Sequence, residues 1–440
     1  MRIISAAAGA MAVIAVTVCL CACAIGMIDP LLCIPALIVF VLYNFFPSFK
    51  KRPGLRLRIL SDGAELLCAF LAVLSVFTPA LIIYFVFNYG IISWQFLVCA
   101  LIFTGELIII FWNGIIRVYC TSTMIGMKWR IIGILCGFVP VLNIIVLVKI
   151  IRLAFIEVNM EQSRYERNLD RRDKKVCSTR YPLLLVHGVF FRDIEKFNYW
   201  GRIPDELIAN GAVIYYGEQQ SALDIESSAA ELAERIRQIV AATGCQKVNI
   251  IAHSKGGLDC RYAIDRLGVS EYVASLTTIN TPHRGCVFAE WLLGSAPVRL
   301  RDQISDYYNN AFKKLGDPSP DFIGAINGLC ASACARFNEE TPDIDGIYYQ
   351  SVGSKINKPL RSIFPLSISY LFARYFDGPN DGLVSVDSAR WGRRFIYLKS
   401  KEPDGISHGD MIDLMRHDKP DFDVREFYVT LVSELKQMDL

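Results

Sequence analysis

The chain has 440 residues, more than one typical domain holds, and 53% of them are hydrophobic. A balance of 46 Lys and Arg against 43 Asp and Glu leaves a net charge of +3, too small to point to nucleic acid. The apolar excess lies almost entirely in residues 1–155, while 156–440 have the make-up of an ordinary globular domain.

The N-terminal third carries candidate spans at about 4–27, 31–48, 65–87, 95–116 and 131–148. Each approaches the roughly 20 apolar residues that a helix needs to cross a bilayer. Leu20-Cys21-Ala22-Cys23 is faintly like a lipoprotein cleavage box, but cleavage there would still leave a multi-pass protein. Lys50, Lys51, Arg52, Arg56 and Arg58 mark one cytoplasmic loop, and Arg117, Lys128 and Arg130 mark another. The connections near Asp29-Pro30 and Asn88–Trp94 carry no Lys or Arg, so four spans with a cytoplasmic N-terminus follow. The last segment points both ways. A crossing at Ile131–Val148 would put the C-terminal domain outside, whereas Lys149, Arg152, Arg164, Arg167, Arg171, Arg172, Lys174 and Lys175 favour the inside. Pro140 and Asn143 also suit a re-entrant or interfacial segment. Glu106 lies well inside a span, a functional feature by default. With no second acid or base beside it, the region reads as an anchor rather than a transporter. Many of the 14 cysteines fall in these apolar segments as small hydrophobes, and the others lack the repeated CxxC spacing of zinc sites.

Residues 156–180 are dense in Glu, Arg, Lys and Asp and predict a helical or flexible linker. From Tyr181 the pattern changes to short apolar strands separated by amphipathic helices. Strands are expected at Tyr181–Val186, Lys247–Ala252, Tyr272–Ile279 and Phe395–Leu398, with helices at Ile225–Ala242 and Gly257–Leu267. That alternation predicts a parallel sheet with helices on both faces.

The first of these strands ends in His187-Gly188-Val189-Phe190, and the second runs into Ala252-His253-Ser254-Lys255-Gly256-Gly257 and then a helix. A strand entering x-x-Ser-x-Gly and leaving as a helix is the nucleophile elbow of the α/β-hydrolase fold. So tight a turn needs small residues two before and two after the serine, which Ala252 and Gly256 supply. It presents Ser254 Oγ at a helix N-terminus, where backbone N–H groups face a developing oxyanion. Val189 N–H and Lys255 N–H are the expected donors. The fold's chain order is serine, acid, histidine, and only His408 and His417 come late enough. His408, in a loop just past a strand, is the expected base; His417 lies in a charged, exposed stretch. His187 and His283 read as loop braces, and the His253 side chain is expected to point away from Ser254 towards the sheet. Asp381, in the turn Asn380–Ser385, is the expected acid, with Asp377 and Asp387 as rivals.

Taken together and in order, YPLLLVHGVF, KVNIIAHSKGG, SLTTINTPHRG, ARFNEETPD, NDGLVSVDSARWG and ISHGD resemble bacterial triacylglycerol lipases of the Burkholderia and Pseudomonas type, over roughly 180–435. The resemblance implies an α/β-hydrolase domain over 181–440; it does not reach the helical transmembrane region at 1–155, read from composition alone, or the linker. It implies Ser254 as nucleophile, Asp381 as acid, His408 as base, and Val189 and Lys255 as oxyanion donors. It also implies a cap over about 286–340. There Phe288, Trp291, Leu292, Leu293 and Phe322, with Phe190 beside the oxyanion loop, are candidates to line an acyl pocket. No cofactor is required for the chemistry. The family's secreted members hold a structural calcium near the catalytic histidine; Asp410 matches one ligand, while Leu414 stands where a side-chain oxygen is expected. The implied reaction is hydrolysis of lipid esters through an acyl-enzyme at a bacterial plasma membrane, with the bilayer and a lipid or ester substrate as partners and no protein partner indicated. Rival readings are an acyltransferase or a phospholipid or lipid-anchor deacylase with the same triad, and a non-catalytic lipid-binding protein.

Overall fold

A computed structural model describes the chain except for residues 1, 49, 89–92, 190–198, 221, 296, 300–301, 304, 307–308, 311–319 and 359–365, and except for the side chains of 2–6, 292, 322, 366–369 and 372. The chain forms two compact units, Met1–Arg167 and Asn168–Leu440.

The first unit is helical: α1 (Arg2–Ala24), α2 (Cys33–Phe45), α3 (Leu55–Ala72), α4 (Thr78–Asn88), α5 (Trp94–Thr121), α6 (Gly126–Cys136) and α7, which runs Leu142–Arg171. Among the described residues, three stretches are long and apolar enough to cross a membrane: Ala7–Ala24, Leu55–Asn88 and Trp94–Thr121. The middle one joins α3 to α4 through a π-helical turn at Val73–Phe77. Two of the expected spans differ from this pattern. The one at 31–48 holds α2, whose 13 residues fall short of the membrane-spanning length. The one at 131–148 is broken between Cys136 and Leu142. Pro140 disfavours helix at the residue before it, and Val141 adopts a φ of 68°. The unit leaves large apolar side chains outside, Phe87 at 83% and Phe138 at 89% exposure among them.

The expected linker at 156–180 is divided. Its first part continues α7 to Arg171, while Cys177 is wholly buried in the core of the second unit.

The second unit is built on a six-stranded sheet of order β2-β1-β3-β4-β5-β6, parallel throughout. Its strands are β1 (Leu183–Val186), β2 (Ile214–Tyr216), β3 (Val248–His253), β4 (Val273–Ile279), β5 (Tyr348–Gly353) and β6 (Arg394–Tyr397). β1, β3 and β4 are buried at every position, as strands covered on both faces must be. Alternate residues serve opposite faces. Leu183, Leu185 and Ile251 pack with α8 (Ile203–Ala209) and with the C-terminal helix, Val424–Gln437. Leu184, Val186 and Ile250 pack against α9 (Ile225–Thr243) and α10 (Gly256–Arg266). Between β4 and β5 lie α11 (Val287–Ser295), α12 (Phe322–Asn327) and α13 (Ala331–Glu340); α14 (Leu366–Asp377) lies between β5 and β6, and α15 is the C-terminal helix. This is the α/β-hydrolase architecture. Because β1 has β2 on one side and β3 on the other, the chain reverses its winding there, and the carboxyl ends of β1 and β3 border the crevice where such sheets place their sites.

Candidate active site

Ser254 follows β3 and is separated from α10 only by the helix N-cap, Lys255. Its φ of 56° lies in the left-handed region that non-glycine residues seldom occupy, a strain that persists only where surroundings over-determine it. Its own N–H donates to Ile279 O at 2.9 Å, which ties the turn to the end of β4. The neighbouring glycines are required by space. A Cβ on Gly188 would lie 2.7 Å from Ser254 Cβ, and one on Gly256 would lie 2.4 Å from His187 O. The loop after β1 and the elbow after β3 therefore pack backbone against backbone, with Val189 and Lys255 both buried.

Asp381 is fully buried, and donors surround its carboxylate. Oδ1 accepts Leu383 N–H at 2.9 Å and Val384 N–H at 2.8 Å, while Oδ2 accepts Asn280 Nδ2 at 2.6 Å and lies 2.7 Å from His408 Nδ1. His408 N–H in turn donates to Asp381 O at 2.9 Å. These bonds fix both the place and the orientation of the imidazole, whose residue keeps 8% exposure. The His408 ring sits 4.4 Å from the ring of His253, the residue before Ser254.

The other sequence candidates are distributed as follows. Asp377 is turned to α11, where its carboxylate accepts Val287 N–H at 2.9 Å and Phe288 N–H at 3.2 Å. Asp387 and His417 are exposed. His187 Nε2 lies 2.9 Å from Gln219 O. His283 stacks on Trp391 at 4.5 Å, with Nε2 2.9 Å from Thr278 Oγ1. Burial, Arg261 and Arg284 together hold its pKa well below the ordinary histidine value. Phe288 and Trp291 share an aromatic cluster with Phe376, Trp291 at 5.3 Å from it, and Trp291 is 45% exposed. Leu293 lies on the same helix, partly buried. Phe190 and the side chains of Leu292 and Phe322 lie outside the described residues.

Residues that sequence reasoning did not single out complete the surroundings. Tyr199 Oη accepts Gly188 N–H at 3.1 Å and lies 2.7 Å from His253 Nδ1. Asn280, which binds Asp381, also donates to Ser354 Oγ at 2.8 Å. Its position just past β4 was the available signal; Tyr199 had none.

Asp410 does not fit a calcium ligand. Its carboxylate accepts Ser407 N–H and Ser407 Oγ at 2.7 Å and pairs with Lys419 Nζ at 2.8 Å. Leu414 offers no oxygen, and among the described residues no three His, Cys, Asp or Glu side chains are grouped to hold a metal. No step below passes through a metal.

Residues 204–303 match the family described as "Putative serine esterase (DUF676)". The chain is 35% identical over 178 residues to a triacylglycerol lipase of Pseudarthrobacter phenanthrenivorans, covering 38% of this chain and 55% of that one, so it spans about half the length of that relative. It is 28% identical to a triacylglycerol lipase of Pseudomonas fragi, over 60% of this chain and 98% of that protein. Among solved structures, the mature lipase BlEst2 of Bacillus licheniformis aligns at 20% identity with a TM-score of 0.43, over 54% of this chain and 88% of that one. In sequence the chain is thus similar to triacylglycerol lipases.

Proposed function

We propose that the second unit is a serine hydrolase that cleaves carboxylic esters of lipids through an acyl-enzyme, and that the first unit anchors it in a membrane. In this reading His408 takes the Ser254 proton as Oγ attacks the ester carbonyl. Asp381 holds the imidazole in the required tautomer and stabilises the imidazolium. The N–H groups of Val189 and Lys255 receive the oxyanion; His408 then returns its proton to the leaving alcohol, and a water repeats the sequence to release the acid. The observation that carries the reading is the 2.7 Å contact between His408 Nδ1 and Asp381 Oδ2, in the same unit as a serine held at a strained strand-to-helix turn. The three membrane-length apolar helices support anchoring, and they also favour acyl transfer from a membrane lipid as a second reading.

The test uses full-length protein in detergent. An alkyl fluorophosphonate is expected to label the wild type, and Ser254→Ala is expected to lose labelling together with about a thousandfold or more of its p-nitrophenyl ester hydrolysis. A variant that keeps most of its activity would overturn the proposal. Adding a competing alcohol acceptor separates transfer from hydrolysis by the products formed.

A further inference from the structure

We propose that the buried side chain of Lys255 is a positioning group, locked by Asp259 and by the start of α9, that holds the Lys255 backbone N–H in place as an oxyanion donor. The inference deepens the hydrolase reading above and rests on it.

Lys255 is only 1% exposed although it adjoins the candidate nucleophile. Its ammonium donates to Asp259 Oδ1 at 2.7 Å, Ser228 Oγ at 2.9 Å and Asp224 O at 3.3 Å, so each of its three N–H bonds has an acceptor. Asp259 lies one turn further along α10, Ser228 is in the first turn of α9, and Asp224 is the N-cap of α9. The side chain is therefore tied at its far end to two helices. Its backbone stands at φ −52° and ψ −35°, next to Ser254 at φ 56°. The peptide plane joining these residues carries the Lys255 N–H, and the torsions on either side of it set where that N–H points. One of those residues is strained. An anchored side chain at the other restrains the plane, whereas a free one would let it relax.

Stability does not account for the pair. Exchanging a buried ion pair for apolar side chains of similar volume is often neutral or stabilising, because desolvation offsets the attraction. Burial pushes the Asp259 carboxyl up to about 6 despite the adjacent ammonium, which agrees with that balance. A costly pair placed at the residue that follows the nucleophile is explained by the geometry it enforces.

The test compares full-length wild type with the double variant Lys255→Met/Asp259→Leu, which leaves no unpaired buried charge. Wild type is first labelled with the fluorophosphonate; absence of labelling would sink the hydrolase reading itself and is thereby told apart from failure of this inference. In the double variant, Tm is expected to hold or rise and KM to stay within about twofold. Its kcat is expected to fall about tenfold, part of the loss seen when an oxyanion donor is removed outright. The Ki of an alkylboronic acid, whose tetrahedral adduct imitates the oxyanion, is expected to weaken by the same factor. Wild-type kcat and boronate affinity in the double variant would overturn the proposal. Should the double variant fail to fold, Ser228→Ala keeps the ion pair and removes one acceptor. There a parallel shift of about twofold in kcat and boronate Ki supports the proposal, and no shift in either overturns it.

Discussion

The two units bury charge in different ways. In the first unit the buried carboxylates of Glu157 and Glu106 serve helix packing. Glu157, wholly buried, accepts Ser122 Oγ at 2.6 Å, Thr123 N–H and Met124 N–H at 3.0 Å, and pairs with Arg56 at 2.5 Å, so it caps the turn between α5 and α6. Glu106 does no more than accept the hydroxyl of Thr17 within the helix packing. In the second unit several buried polar groups lie close to one another. His187, Tyr199, His253, Lys255, Asn280, Asp381 and His408 gather around the carboxyl ends of β1, β3 and β4. The contrast teaches that buried charge alone does not mark chemistry. In the proposed reading, what marks it is a buried carboxylate bonded to a histidine that keeps some exposure, in the same unit as a strained serine. The outer surfaces differ as well, since only the first unit carries apolar stretches of membrane-spanning length among the described residues.

The sharpest way to break this comparison is Asp381→Asn. The amide keeps the shape but favours the wrong imidazole tautomer, so kcat is expected to fall about 10³–10⁴-fold with Tm little changed. Near-normal ester hydrolysis would make the second unit's network as structural as that of the first. The counterpart, Glu157→Gln, removes the charge from a cap with several donors. It is expected to cost the first unit about 2 kcal/mol in denaturant unfolding while kcat of the folded protein stays unchanged. A loss of kcat there would show that the first unit contributes to the chemistry.

A smaller effect separates the units by pH. Burial and the neighbouring His408 hold His253 well below the ordinary histidine pKa, and burial with Arg261 and Arg284 does the same for His283. Both rings are thus neutral when folded and take up protons on unfolding near pH 6.5. Stability is fully present above that pH and falls below it, by about 1.4 kcal/mol per pH unit for each ring. Melting of the second unit between pH 7.5 and 5 should carry this contribution, opposed below about pH 6 by the raised Asp259 carboxyl. His283→Gln should lower the slope by about 1.4 kcal/mol per pH unit, the difference between the two slopes isolating that imidazole from every other titrating group; identical slopes would refute the assignment.

The parts of the fold legible in sequence were those that local pattern dictates. β1 is an unbroken apolar run, β3 and β4 are mostly apolar ones, and the serine–acid–histidine order follows from the elbow. β2 was missed because it has only three residues. β5 was missed because it places Gln350 and Ser351 inside the sheet, where Thr277 Oγ1 and Trp391 O satisfy them at 2.9 Å and 2.6 Å; a linear reading sees only polar residues. Cys177 shows the same limit, since charged neighbours hide a core position that only its contacts reveal. Tyr199 bonds to partners that only the fold brings close, so no motif announces it.

Asp377 and Asp381 look alike in sequence, each an aspartate near a turn before the last strand, yet the fold gives them different work. Two N–H groups of α11's first turn point at the Asp377 carboxylate, which meets a demand that every helix start leaves open. Asp377→Ala is therefore expected to cost about 1 kcal/mol, the usual loss for a capping side chain. Turnover of a short ester such as p-nitrophenyl acetate should stay within about threefold of wild type, because the bond to His408 is untouched. Hydrolysis of long-chain esters should suffer more, through KM, if Phe288 and Trp291 on α11 meet the acyl chain. Parallel kinetics of the two aspartate variants on both esters decide the matter. A short-ester kcat lost to the same degree in each would mean that the acid is shared between them, and the contrast drawn from the hydrogen bonds would fail.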